Sequence, residues 1–203
     1  DLNALEAGKR LAAAAGGSLT ALSVGGSSYL DATKIRKDIL SRGADDLKLL
    51  VSDDTPFEDS LETAKAIVKA LETIDGYDLV LCGTGSSDMY SQVVGIQVGA
   101  LLGIPVLNNV TDIQITENGI EAERTLENIV ERFALPLPAV LSVSSEINVP
   151  GVPAMRDILK AGKKPVDVVK PEAAAAATAE TLSQLAPEQQ ERRQNIIEGD
   201  NEE

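Results

Sequence analysis

Apolar runs that end in glycine recur along this chain, with stretches of helical spacing between them, and that alternation leaves few folds open. Residues 18–24 (SLTALSV) run into Gly25–Gly26, residues 77–82 (YDLVLC) into Gly83, and further short apolar runs lie at 46–51, 104–107, 138–144 and 165–169. Helical spacing fills 2–16, 29–42, 60–74, 88–102 and 153–162, with Asp1 and Asp59 placed as N-caps and Gly16–Gly17 and Gly43 as stops. Strand and helix in alternation, joined by short Gly-bearing links, predict βαβ units and an open, mostly parallel α/β sheet with helices on both faces. Residues 111–116, 119–126 and 129–134 read instead as an antiparallel excursion, turned at Glu117-Asn118-Gly119 and Glu127-Asn128. Residues 1–169 thus form one α/β domain. From Lys170 to Glu203 the chain is Ala-rich and then polar and acidic, which suits an extended C-terminal arm ordered on a partner or, alternatively, a disordered tail.

Composition narrows the chemistry. Hydrophobic residues make up 43% and aromatics only 2%, so the core is built from Ala, Val, Leu and Ile, as a buried parallel sheet packed by small-residue helices requires. There is no His. That removes the usual proton shuttle, the Ser-His and Cys-His nucleophiles and the common zinc sites, and with no Gly-x-Ser-x-Gly elbow it argues against a hydrolase. A formal net charge of −14 repels phosphate backbones, so no nucleic acid is expected as partner. No apolar run reaches the roughly 20 residues of a bilayer span, so no stable membrane insertion is expected. The single Cys82 forms no internal disulfide and suits a reducing, cytoplasmic setting.

Four stretches could carry function. In residues 79–95 (LVLCGTGSSDMYSQVVG) a buried strand ends at Gly83, and a loop of Gly85, Ser86, Ser87 and Asp88 leads to a helix expected near Met89. Backbone N–H groups at a helix start favour an anion and hydroxyls add donors, although such a loop also serves as a plain turn. Ser23-Val24-Gly25-Gly26 closes another strand in small residues; beside strand 77–82 the two loops would share one crevice, and a tight turn is the bland reading. Residues 148–164 run from a Pro-rich loop into a basic helix within an acidic protein, which marks a partner-docking patch or simply a helix end dressed with Lys. Glu123-Arg124 on a strand reads most simply as a solvated face.

Taken in order, these segments resemble the electron transfer flavoprotein beta family over nearly the whole chain. The resemblance rests on DLNALEA at 1–7, LTALSVGG at 19–26, IRKDILSRGADDL at 35–47, residues 77–105, residues 135–166 and ERRQNIIEGD at 191–200, in detail closest to a FixA-type branch tied to anaerobic carnitine and acyl-CoA metabolism. It implies a Rossmann-like, adenine nucleotide-binding fold and a beta subunit that is an electron carrier, not an enzyme. Its partners would be an alpha subunit holding most of a redox FAD and an acyl-CoA dehydrogenase-type flavoenzyme. Its own crevice would hold AMP or, in bifurcating relatives, a second FAD. By resemblance Asp1, Ser23, Val24, Gly83, Gly85, Ser86, Ser87, Asp88, Gln92, Val93, Val94 and Gly95 fall on the nucleotide site, and Arg124 falls near the flavin and the subunit interface. Met155, Arg156, Ile158, Leu159 and Lys160 fall on the dehydrogenase-docking segment. The family also carries a stretch ahead of Asp1 with a first strand and part of the nucleotide site, and often has Arg where Gly151 stands. A stand-alone adenine-nucleotide-binding regulator of the stress-protein type would share the core, but has no use for residues 135–166 or the tail.

Overall fold

The computed structural model describes residues 1–86, 89–171, 182–183, 185–186 and 188. Helix α1 (Leu2–Ala15) begins on Asp1, whose Oδ1 accepts the Ala4 N–H at 2.8 Å, and stops where Gly16 enters the left-handed region at φ 67°. It leads to β1 (Thr20–Gly25), followed by α2 (Ser27–Leu30), α3 (Thr33–Ser41) and β2 (Asp46–Val51). Helix α4 (Ser60–Leu71) starts on Asp59, which accepts the Leu61 N–H at 2.9 Å, and precedes β3 (Leu79–Gly83). Then come α5 (Val94–Leu102), β4 (Val106–Thr116), β5 (Gly119–Leu126), β6 (Ile129–Leu135), β7 (Ala139–Val143), α6 (Met155–Ala161) and β8 (Val166–Val169).

The α/β class and the antiparallel excursion stand as expected, but the strands form two sheets. One is wholly parallel in the order β1-β2-β8; the other runs β3-β7-β4-β5-β6, parallel through β3, β7 and β4 and antiparallel through β4, β5 and β6. Three local readings change. The helix expected over 29–42 breaks at Ala32, where the Arg36 side chain takes the freed Leu30 carbonyl at 2.7 Å and the Asp31 carboxylate at 2.8 Å. The runs at 104–107 and 111–116 are one strand, β4, bulged around Asn109, which takes φ 56°. The helix expected near Met89 begins only at Val94, so the loop after β3 is longer than its sequence suggested.

Side-chain alternation divides the core into layers. On β2, Leu47, Leu49 and Val51 pack with Leu40 of α3, whereas Leu50 points the other way against Ala66 and Ala70 of α4. On β7, Leu141 and Val143 meet Ala4 of α1, while Val140 meets Ala64 and Val98. Each such Leu or Val contributes about 1.5–3 kcal/mol by leaving water. Small residues on the helices let them lie close to the strands, which is why so few aromatics suffice. Among the described residues no helix is long and apolar enough to cross a membrane.

Candidate functional site

Strands β1 and β3 flank one crevice, lined by Thr20–Ser23 on one side and Leu79–Gly83 on the other. The two strands are not hydrogen-bonded neighbours, as sharing a crevice seemed to require; they face each other across a cavity of about 720 Å³, lined from both sides by residues that include Leu22 and Ser23 of β1 and Leu81 and Gly83 of β3. Helix α1 roofs it. The Asp1 side chain lies so close to Gly83 that a Cβ there would sit 2.5 Å from the carboxyl carbon. Asp1, Ser23 and Gly83, widely separated in sequence, thus line the same cavity, which also takes in Val94 at the start of α5. Val24 alternates away from Ser23 and packs with Leu50 and Phe57.

The described residues of the loop from Gly83 to Val93 are tied down at its start and take uncommon backbone angles near its end. The Ser142 Oγ donates to the Gly83 carbonyl at 2.8 Å and the Thr84 Oγ1 to the Val143 carbonyl at 2.7 Å, tying the end of β3 to β7. Tyr90 and Gln92 both take positive φ, 49° and 60°, each at an expected cost of about 1–3 kcal/mol that functional loops often carry. Gly85 lies under the Tyr90 ring, where a Cβ would approach Cδ2 to 2.9 Å. Gly95, one residue into α5, packs closely on Cys82 and Ser142, with a virtual Cβ in van der Waals contact at 3.4 Å from each. Val93 is the N-cap of α5 and offers no side-chain acceptor, which leaves the N–H groups of the first turn pointing at the loop. Ser86 and Gln92 are exposed along this loop; Ser87 and Asp88 lie outside the described residues.

Two titratable groups are shifted by their own surroundings. Cys82 keeps a little surface through the cavity, but the packed apolar walls push its thiol up to about 11, so it stays protonated and inert at neutral pH. Asp53 accepts the Ser27 N–H at 2.7 Å, and that backbone hydrogen bond, helped by the Ser27 hydroxyl, holds its carboxyl below the usual range. The bond fixes α2 against the end of β1. Its stabilising effect is present above the unfolded-chain value near 4 and is lost as pH falls through the depressed one.

Arg124 does not line the crevice. It donates to Glu131 Oε2 at 2.6 Å and to Asn108 Oδ1 at 3.0 Å and stacks over Phe133 at 5.3 Å, so its charge is balanced within the β5–β6 hairpin. The tip of that hairpin closes a second, polar cavity of about 400 Å³ with Thr84, Tyr90, Asn109, Ser144 and Glu146. The sequence reading covered Thr84 and Tyr90 within the loop from Gly83 to Gly95 and missed the others. Asn109 carried the only advance signal, because Asn tolerates the left-handed conformation it adopts in the bulge.

The segment expected to dock a partner, residues 151–160, is exposed over most of its length. Val152 is 93% exposed and Met155 72%, and Met155 and Leu159, one turn apart on α6, present an apolar face with Ile158 beside it. Arg156 and Lys160 are exposed on the same short helix. Lys164 is not part of this patch: its Nζ donates to the Leu40 carbonyl at 3.0 Å and the Ala44 carbonyl at 2.5 Å. Among the described residues no cluster of three or more His, Cys, Asp or Glu could hold a metal ion. The arm expected over 170–203 lies almost wholly outside the described residues. In comparison with known families, the model of the electron transfer flavoprotein domain matches residues 1–174.

Proposed function

From the premise that the chain belongs to the electron transfer flavoprotein domain family, we propose that it is the beta subunit of a heterodimeric electron transfer flavoprotein. Family membership itself carries an electron-carrier role associated with flavin and nucleotide, without bond chemistry by the protein. The finer reading is ours. An adenine nucleotide sits at the mouth between Ser23–Val24 and the loop from Gly83 to Gly95, an alpha subunit holds the redox FAD, and residues 155–160 dock an acyl-CoA dehydrogenase-type flavoenzyme. Residues 170–203 form the arm that embraces the alpha subunit, and a FixA-like place in acyl-CoA or carnitine metabolism suits the sequence details.

One observation carries the reading: Asp1, Ser23 and Gly83 line one crevice, with Asp1 against Gly83 where the glycine-bearing loop leaves β3. The residues there fit an adenine nucleotide. Gly83 and Gly85 let the Asp1 side chain and the Tyr90 ring close in on the strand end and the loop, and hydroxyls with first-turn N–H groups supply donors for a phosphate. A bound flavin supplies the electron chemistry, while the protein positions and tunes it.

Cofactor counting tests this directly. Purified alone, the chain is expected to be nearly colourless; purified with an alpha subunit it should release AMP and FAD in equal amounts. Two FAD per heterodimer would convert the reading to a bifurcating carrier, and absence of any adenine nucleotide from the beta chain would overturn the crevice assignment. Docking makes a separate prediction. Met155→Ala should slow reduction by the dehydrogenase about tenfold, the effect of losing one apolar anchor at a small transient interface, while the urea midpoint stays unchanged. Equal loss of stability and rate would remove Met155 from the docking surface.

A further inference from the structure

We propose that a polar stripe on α1 positions the docking segment: Asn3 clamps Asn148 and Glu6 pins Gly151, so that α6 is presented to its partner in one orientation. The inference rests on the reading of residues 155–160 as a docking site and deepens it. Asn3, Glu6 and Arg10 are spaced by three and four residues, which puts them on one face of the helix. Ala4 and Ala7 are buried and seat the helix on the core, Ala4 in the layer that holds Leu141 and Val143 of β7. The stripe thus stands on a fixed base.

The loop that meets this stripe has little else to hold it. The chain after β7 is anchored as far as Ile147, which packs against the core and donates its N–H to the Ser144 carbonyl at 3.4 Å. Among the described residues, 148–153 make no backbone–backbone hydrogen bond. The next apolar anchor is Ala161, buried at the end of α6 beside Leu40. Asn3 fills that gap. Its Nδ2 donates to the Asn148 carbonyl at 2.8 Å and, at 3.3 Å, to the Ser145 carbonyl. The Asn148 Nδ2 donates back to the Asn3 carbonyl at 3.0 Å. Paired bonds fix the direction of the chain as well as its position, where a single bond lets it swivel.

The residues that follow carry that direction forward to α6. Pro150 and Pro153 lock φ at about −65°, which leaves Gly151 between them as the soft joint. Glu6 closes on that joint: a Cβ on Gly151 would lie 3.6 Å from Glu6 Oε2. Burial raises the Glu6 pKa, but the bond from Arg10 at 2.8 Å, the Lys9 charge and the Gly151 N–H outweigh it, so the carboxylate stays charged there. Val149, Val152 and Met155 remain exposed, so the fastening leaves their apolar surfaces free for a partner. A segment already held in its bound direction binds more tightly, because less of it must be ordered on contact.

The test assays the heterodimer with an alpha subunit as electron acceptor of one acyl-CoA dehydrogenase, chosen because it reduces the unmodified protein. Asn3→Ala and Asn148→Ala should each raise KM for the heterodimer about fivefold, and Glu6→Ala about twofold, with kcat unchanged. The Asn3→Ala, Asn148→Ala double variant should raise KM no further than either change alone, since each removes the same pair. Hydrogen exchange should quicken in residues 149–159 and stay as it was in β7. Unchanged KM in these variants, where Met155→Ala does slow reduction, would overturn the clamp and leave the docking site standing. Additive effects of the two Asn substitutions would overturn it, as would a lowered kcat with exchange quickened through β7, because the pair would then hold the core and not the loop. If Met155→Ala itself changes nothing, the docking reading fails and this inference goes with it.

Discussion

Gly83→Val is expected to abolish nucleotide retention and to lower stability by about 2–4 kcal/mol, the sum of a lost helix cap and an overpacked contact. A valine Cβ would fall 2.5 Å from the Asp1 carboxyl carbon and 2.6 Å from the Asp1 Cβ, closer than real Cβ atoms approach anything. Asp1 must leave, and with it goes the acceptor for the Ala4 N–H, so the first turn of α1 frays. The isopropyl group then stands in the crevice mouth itself. Urea denaturation reads the first effect as a shifted midpoint with an unchanged slope, and cofactor extraction reads the second. Asp1→Ala separates them: it removes the cap but puts no bulk in the mouth, so it should destabilise by about 1 kcal/mol and weaken nucleotide retention less than Gly83→Val does. Gly17→Ala, where nothing lies within 4 Å, should do neither. Nucleotide retained by Gly83→Val would sink the crevice reading.

The layers of this fold were legible because their signals are local. Glycine at strand ends, Asp at helix starts and β2's alternation of Leu47 and Leu49 against Leu50 need no partner to be read. What escaped was set by tertiary balance. The late start of α5 depends on Gly95 seating on Cys82 and Ser142 from two different strands, a contact invisible to the periodicity of residues 88–102. The split of one sheet into two depends on which strand edges find each other, and residues 18–24 and 77–82 read alike whether paired or not. The same holds for the site. Its glycines and hydroxyls stood out, but Thr84 and Ser142, which hold the loop in place, looked like ordinary strand-end residues. Charge was the most misleading signal. Lys160, Lys163 and Lys164 read as one basic patch, and the fold uses the last of them for another purpose.

That purpose makes Lys164→Met the more severe of two neighbouring substitutions. Leu40 lies in the last turn of α3 and Ala44 just ahead of β2; both residues are buried, with 1% and 0% of their surface exposed. The Leu40 carbonyl is among those a helix end leaves without an internal partner, and Lys164 reaches back to satisfy it together with that of Ala44. Methionine keeps the length of the stem and loses every donor. Each orphaned carbonyl costs about 1–3 kcal/mol, so a loss of about 2–4 kcal/mol is expected, allowing for water entering the vacated place. Lys163→Met, on an exposed side chain, should stay within about 0.5 kcal/mol. The consequence reaches the proposed docking segment because α6 packs on α3 through Ala161, and Lys164 fastens the chain that follows. Hydrogen exchange of α6 and β8 should quicken in Lys164→Met, and reduction by the dehydrogenase should slow although no docking residue has changed. If instead Lys164→Met keeps its stability and loses only rate, Lys164 touches the partner, and the basic patch extends one turn further than the hydrogen bonds to Leu40 and Ala44 imply.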